Sequence, residues 1–300
     1  MADLEQRKPI SMKSGLLREN GPEWHRMKYI RSGYRLGGTY FECLLSLFWL
    51  HNESMNAWTM IAGIFTSTLL LYNTWHYLLI NNIKLMDKII FILFGLHGWI
   101  HLPFSVGYHL FGCMNRETFY RWRGYDMSMI LIAGNILTFV LSYYVYNIYF
   151  TIILTLATSI FVFYAVNDII TSNKLGKFPK IRALKYTGIV VISYTSPIIY
   201  QTIMDVITYD NGLNSIVVQC FLFILVGLSI GALTFAFNFP EILFNSGTFD
   251  LFFNGHNIMH FGVIMAHIAE FVFILHMYSR WNDIKIFDFI VLKPFIYEYN

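Results

Sequence analysis

Seven apolar stretches, each about 20 residues or longer, constrain this chain more than anything else in its sequence. They lie near 58–80, 86–112, 125–147, 149–170, 186–207, 215–238 and 256–279. At 1.5 Å of rise per residue, about 20 residues of helix cross a hydrocarbon layer of about 30 Å. Lipid offers no partner to a bare N–H or C=O, so only helices and closed barrels can span it. The stretches lack the alternation of barrel strands. They predict an all-α fold, a seven-transmembrane helix bundle. Charged residues make up 13%, against about 25% in soluble domains, which excludes an ordinary soluble domain. A net charge of +3 gives no bulk attraction to nucleic acid, and no nucleic-acid partner is expected.

Lys and Arg set the orientation. Sixteen fall in the N-terminal segment and in the second–third and fourth–fifth connections, whereas five (Lys84, Lys88, Arg280, Lys285 and Lys293) fall on the other side. This predicts a cytoplasmic N-terminus and an extracytoplasmic C-terminus, the reverse of rhodopsin-like receptors. Residues 1–28 read as a basic mobile cytoplasmic arm, 29–57 as an interfacial lead-in helix, 58–279 as the transmembrane domain and 280–300 as an extracytoplasmic tail. The first forty residues carry no apolar signal region, so an internal helix is expected to direct insertion. Cys43, Cys113 and Cys220 show neither CxxC spacing nor a disulfide framework. Phe and Tyr are expected mainly on lipid-facing and interfacial surfaces, with Pro197 and Pro240 bending or ending helices.

Ionisable groups inside a membrane are costly and point to function. In the predicted topology His109 ends the second span, Asp126 begins the third and His256 and His260 begin the seventh, all at the cytoplasmic level. Glu53 and Asn56 enter the first span in the same layer. His256 and His260, four apart, share a helix face and can bind one metal. His109 would complete a three-His site with an open fourth position, the arrangement that holds Zn²⁺ and a water whose pKa falls to about 7. Asp126 can orient that water or take its proton, and Ser105, one turn from His109, can hydrogen-bond a developing oxyanion. The other reading of these histidines is interhelical hydrogen bonding, which is expected for His97 and His101. His267 and His276 are expected to pack or to line a substrate path, and Glu270 has no evident role.

Several runs together resemble the progestin and adipoQ receptor family, which includes the adiponectin receptors and resembles hemolysin III proteins. Glu53-Ser54-Met55-Asn56 is similar to its E-x-x-N opening, Ser105-Val106-Gly107-Tyr108-His109 to its S-x-x-x-H and His256-Asn257-Ile258-Met259-His260 to its H-x-x-x-H. Tyr125-Asp126 falls where the family carries its Asp, and Ser32-Gly33-Tyr34-Arg35 is similar to an upstream G-Y-R stretch. The resemblance implies zinc ligands at His109, His256 and His260, a carboxylate near the zinc at Asp126 and hydrolysis of a ceramide-like lipid. Met60 and Met114 stand where family histidines are common, and Asn254-Gly255 replaces a Ser-containing lead. These departures bear on catalytic competence, not on the three ligands.

The expectation is a multi-pass integral protein of the plasma membrane or endomembranes. Its leading function is a zinc-dependent ceramidase-like amidohydrolase, with Asp126 and Ser105 as catalytic groups. The alternative is a non-catalytic receptor or scaffold with structural zinc that signals through the basic cytoplasmic arm; the partners expected of the chain are a ceramide-like membrane lipid, an unknown extracellular ligand and further copies of itself in a homo-oligomer. A channel or transporter using His97, His101, His267 and His276 is the third reading.

Overall fold

The computed structural model describes residues 11–80, 83–174, 179–244 and 247–283. Seven of its helices are long and apolar enough to cross a membrane: α2 (Ser54–Ile80), α3 (Leu85–Phe111), α4 (Arg116–Ser142), α5 (Ile148–Lys174), α6 (Lys180–Thr208), α7 (Ile216–Phe237) and α8 (Gly255–Asn282). A short α1 (Tyr40–Leu45) precedes them, and a two-stranded antiparallel pair, β1 (Lys13–Leu16) and β2 (Tyr34–Leu36), adds a small β element to the helical fold. The span α4 starts nine residues before the apolar stretch that predicted it. The Asn115 side chain caps it by accepting from Thr118 N at 2.8 Å, so the polar turn Arg116–Arg123 is helical too.

The lead-in expected to be one helix over 29–57 is broken. Gly33, Gly37 and Gly38 hold φ of +81°, +82° and +91°, a region closed to a helix and favoured by glycine. Helix resumes at α1, where Thr39 and Glu42 form a capping box, in a single 3₁₀ turn, Ser46–Phe48, and then with α2 at Ser54. Residues 1–10 of the expected arm lie outside the described residues. From Ser11 on it folds back onto the bundle, with His25 and Ile30 buried. Asp250, in the α7–α8 connection, accepts from Arg31 N (3.0 Å), Ser32 N (2.8 Å) and Ser32 Oγ (2.7 Å). Burial pushes the Tyr34 hydroxyl up to about 12, and it donates to the Ile30 carbonyl. Beneath α1 the Cys43 and Cys113 sulfurs lie 3.7 Å apart, two buried free thiols. The expected tail from residue 284 lies outside the described residues.

The core is built where α3, α4 and α8 meet, around Phe91, Phe94, Leu131, Leu141, Phe273 and Ile274. Helices α7 and α8 pack closely at Gly227 and Gly262, where an added Cβ would strike the facing backbone; small residues let membrane helices touch in this way. Phe65, Ile160, Phe163 and Ile207 stay exposed on the outer surface, as side chains meant for lipid do. Pro197 lies inside α6, while Pro240 follows the end of α7. Asn56, His109, Asp126, His256 and His260 gather at the end of the bundle next to the folded N-terminal segment, while Asp87 and Asp205 are buried near the other end.

Candidate metal centre

His109 occupies the last turn of α3, and His256 and His260 the first turns of α8. Their ligand nitrogens all lie within 4.8 Å of one another. His109 and His260 are buried and His256 is half-buried. Two of the rings are oriented by a bond on the far nitrogen. His109 Nδ1 donates to Glu53 Oε2 at 2.7 Å, which leaves the Nε2 lone pair free. That Nε2 is buried with no hydrogen-bond partner among the described residues. Thr59 Oγ1 already donates to main-chain carbonyls of α2, so at 2.9 Å it accepts from His260 Nδ1 and again frees Nε2. Three neutral imidazoles with two preset lone pairs fit a tetrahedral ion such as Zn²⁺.

The group behind His109 is a polar knot assembled from four parts of the chain. Asn56 Nδ2 donates to Glu53 Oε2 at 2.7 Å, and Asn257 Nδ2 to Asn56 Oδ1 at 2.6 Å, joining α2 to α8. His25 Nε2 lies 2.9 Å from Glu53 Oε1. The Arg35 guanidinium donates to the His109 carbonyl at 2.7 Å and to Ser46 Oγ. Burial alone would raise the Glu53 carboxyl, but the His109 and His25 rings beside it outweigh that and hold it well below the usual range. Glu53 and Asn56 were placed in this layer from sequence, though without a role. His25 and Thr59 were missed, and the only available signal was the i+3 step from Asn56 to Thr59 along the same helix face.

Asp126 and Ser105 line the neighbouring wall. Asp126 Oδ1 lies 3.3 Å from His101 Nε2, so His101 makes the interhelical bond expected of it, while His97 packs against His267 instead, ring centroids 4.6 Å apart. Both carboxylate and hydroxyl face a cavity of about 480 Å³ that also touches His101, His256 and His260. Its deeper wall is mostly apolar, with Met60, Leu102, Leu131 and Val190. Met60 is thus a cavity residue, whereas Met114 packs with the Leu110–Cys113 cluster.

His51 tests whether this layer is folded around neutral imidazoles. Burial, with the Arg35 charge adding to it, holds His51 down to about 3 from an ordinary 6.5. Below pH 6.5 the unfolded chain takes the proton and the fold does not, so stability is full above that pH and falls toward pH 3. The slope is up to about 1.4 kcal/mol per unit. His51→Gln will flatten the loss of detergent melting midpoint between pH 7 and 5; parallel curves would refute the assignment.

Comparison with known proteins gives the family of the chain. Residues 48–271 match the family model described as haemolysin-III related. The chain is 26% identical over 278 residues to progestin and adipoQ receptor-like protein 1 of Caenorhabditis elegans, covering 88% of this chain and 61% of that protein. It is 35% identical over 107 residues to progestin and adipoQ receptor family member 3 of mouse and of human, covering 35% of this chain and 34% of theirs. The chain therefore spans less than two thirds of the length of these relatives. The matched region runs from the turn before Glu53 to the helix that carries His256 and His260, and so takes in the whole histidine cluster. The chain belongs to the haemolysin-III-related family of multi-pass membrane proteins, alongside the progestin and adipoQ receptors.

Proposed function

We propose that this protein hydrolyses the amide of a ceramide-like lipid at a zinc site formed by His109, His256 and His260, with the N-terminal end of the bundle in the cytoplasm. The observation that carries the reading is His109 Nε2, buried with no hydrogen-bond partner among the described residues and beside His256 and His260, which line a largely apolar cavity. A divalent ion held there supplies Lewis acidity and makes water nucleophilic near neutral pH. Glu53 and Thr59 keep His109 and His260 in the ligating tautomer. The Asp126 carboxylate, steadied by His101, takes the proton from attacking water and returns it to the leaving amine. The Ser105 hydroxyl donates to the carbonyl oxygen as it gains charge. The cavity wall from Met60 to Val190 receives the acyl chain. The excess of Lys and Arg at the N-terminal end supports the orientation.

Asp126→Asn keeps the shape but cannot take the proton. It is expected to lower fatty-acid release from ceramide by about 10²–10⁴-fold while leaving metal content unchanged. Unchanged release would remove Asp126 from the chemistry. A second reading, a non-catalytic receptor or scaffold with structural zinc, draws on Met60, which puts a thioether on the cavity wall where family histidines are common. Release of no fatty acid from any ceramide by zinc-loaded protein would favour it.

A further inference from the structure

Deeper in the same bundle lies a second group of donors that the proposed chemistry does not use. His97 of α3 and His267 and Glu270 of α8 are all buried, and their ligand atoms lie within 4.8 Å of one another. His260 and His267 are seven residues apart, which places the group roughly 10 Å further along α8. We infer that His97, His267 and Glu270 form a second site for a divalent transition-metal ion, separate from the three-histidine centre.

Three observations carry it. The far nitrogen of each ring is already engaged: His97 Nδ1 bonds to the Phe94 carbonyl, and His267 Nε2 lies 2.9 Å from Ser67 Oγ. Each ring therefore turns its other nitrogen to the group, the arrangement metal-binding histidines adopt. His267 Nδ1 is buried with no hydrogen-bond partner among the described residues. Glu270 Oε2 stands 4.0 Å from that nitrogen, too far for a hydrogen bond; two ligands about 2 Å from one tetrahedral ion lie about 3.3 Å apart, so a small turn of the glutamate side chain brings the pair to ligand spacing. Among the described residues no Lys or Arg pairs with Glu270 and no hydrogen bond reaches it. A carboxylate only 3% exposed inside a membrane bundle needs a countercharge or a proton. A divalent ion supplies the countercharge and, with Ser67 Oγ accepting from His267 Nε2 and the Phe94 carbonyl accepting from His97 Nδ1, takes the other nitrogen of each ring as a ligand. Two His and one Glu form a common zinc donor set with one position left open, and all three residues line the cavity.

The test is metal stoichiometry in the full chain, purified in detergent, loaded with Zn²⁺ and freed of excess. Wild type is expected to hold about two ions per chain, Glu270→Gln one, His256→Ala one and the double variant none. One ion in wild type, kept by Glu270→Gln and lost by His256→Ala, overturns the second site while sparing the first. One ion lost by Glu270→Gln and kept by His256→Ala supports the second site and sinks the first. Co²⁺ titration of His256→Ala, with the core trio intact, covers the case of a Glu270 variant that does not fold. A visible d–d band saturating at one equivalent is expected, and its absence overturns the site.

Discussion

On the proposed function, His109→Ala is expected to strip one metal ion per chain from the three-histidine cluster and to bring ceramide hydrolysis down to background. The magnitude follows from position. His109 would be the single ligand from α3 at that centre: it is fully buried, with Nδ1 held by Glu53 and its ligand nitrogen within 4.8 Å of those of His256 and His260. Without it the two α8 imidazoles remain as an i, i+4 pair, a far weaker chelate that leaves two coordination positions to water. His256→Ala should match it, because the lost ligand is equivalent. Elemental analysis and fatty-acid release, measured on the same monodisperse preparation, decide the matter. Full metal content in either variant would refute the three-histidine centre, whatever happened to activity.

Glu53→Ala is expected to be the most damaging single change to the fold. The carboxylate accepts from His109 Nδ1 and Asn56 Nδ2 and sits against His25, all away from solvent. Removing it leaves these donors buried and unpaired, a loss of about 3–5 kcal/mol for a broken buried pair. It also frees the His109 ring to turn. Glu53→Gln separates the two effects. The amide oxygen can still accept from His109, so the fold should survive, while metal affinity falls about 10–100-fold, as when a bond behind a ligating histidine is weakened. Equal metal affinity in Glu53→Gln and wild type would show that the carboxylate braces the fold and does not tune the ligand. The same knot explains why the N-terminal segment is held to the bundle, since His25 reaches Glu53 and Arg35 reaches the His109 carbonyl.

The fold was legible because bilayer crossing is a local property. A run of about 20 apolar residues must become a helix in lipid whatever its neighbours do, and each of the seven predicted stretches overlaps a span. The helix ends were less legible. Asn115 carries the start of α4 back to Arg116, since a cap and a charged first turn sustain helix beyond the apolar window. The lead-in was misread because Gly33, Gly37 and Gly38 adopt left-handed φ, a choice made by the loop's packing, not by its composition. Within the site, the pairing of His256 with His260 could be read directly, because four residues make one turn.

What the sequence determined by itself, then, is periodic and short-range: seven spans, the shared face of His256 and His260, and the layer in which His109, Asp126 and Glu53 fall. Only the tertiary structure decided which of these groups meet. His25 and Glu53 are joined by a fold-back of the N-terminal segment. Thr59 reaches His260 only because α2 lies against α8, and His97 reaches His267 and Glu270 only because α3 does. Helical periodicity gives the direction of a side chain around its own axis, but not how far neighbouring helices are rotated or slid against one another. That register is set by close packing such as Gly227 against Gly262, and it decides which buried nitrogens and carboxylates share a site.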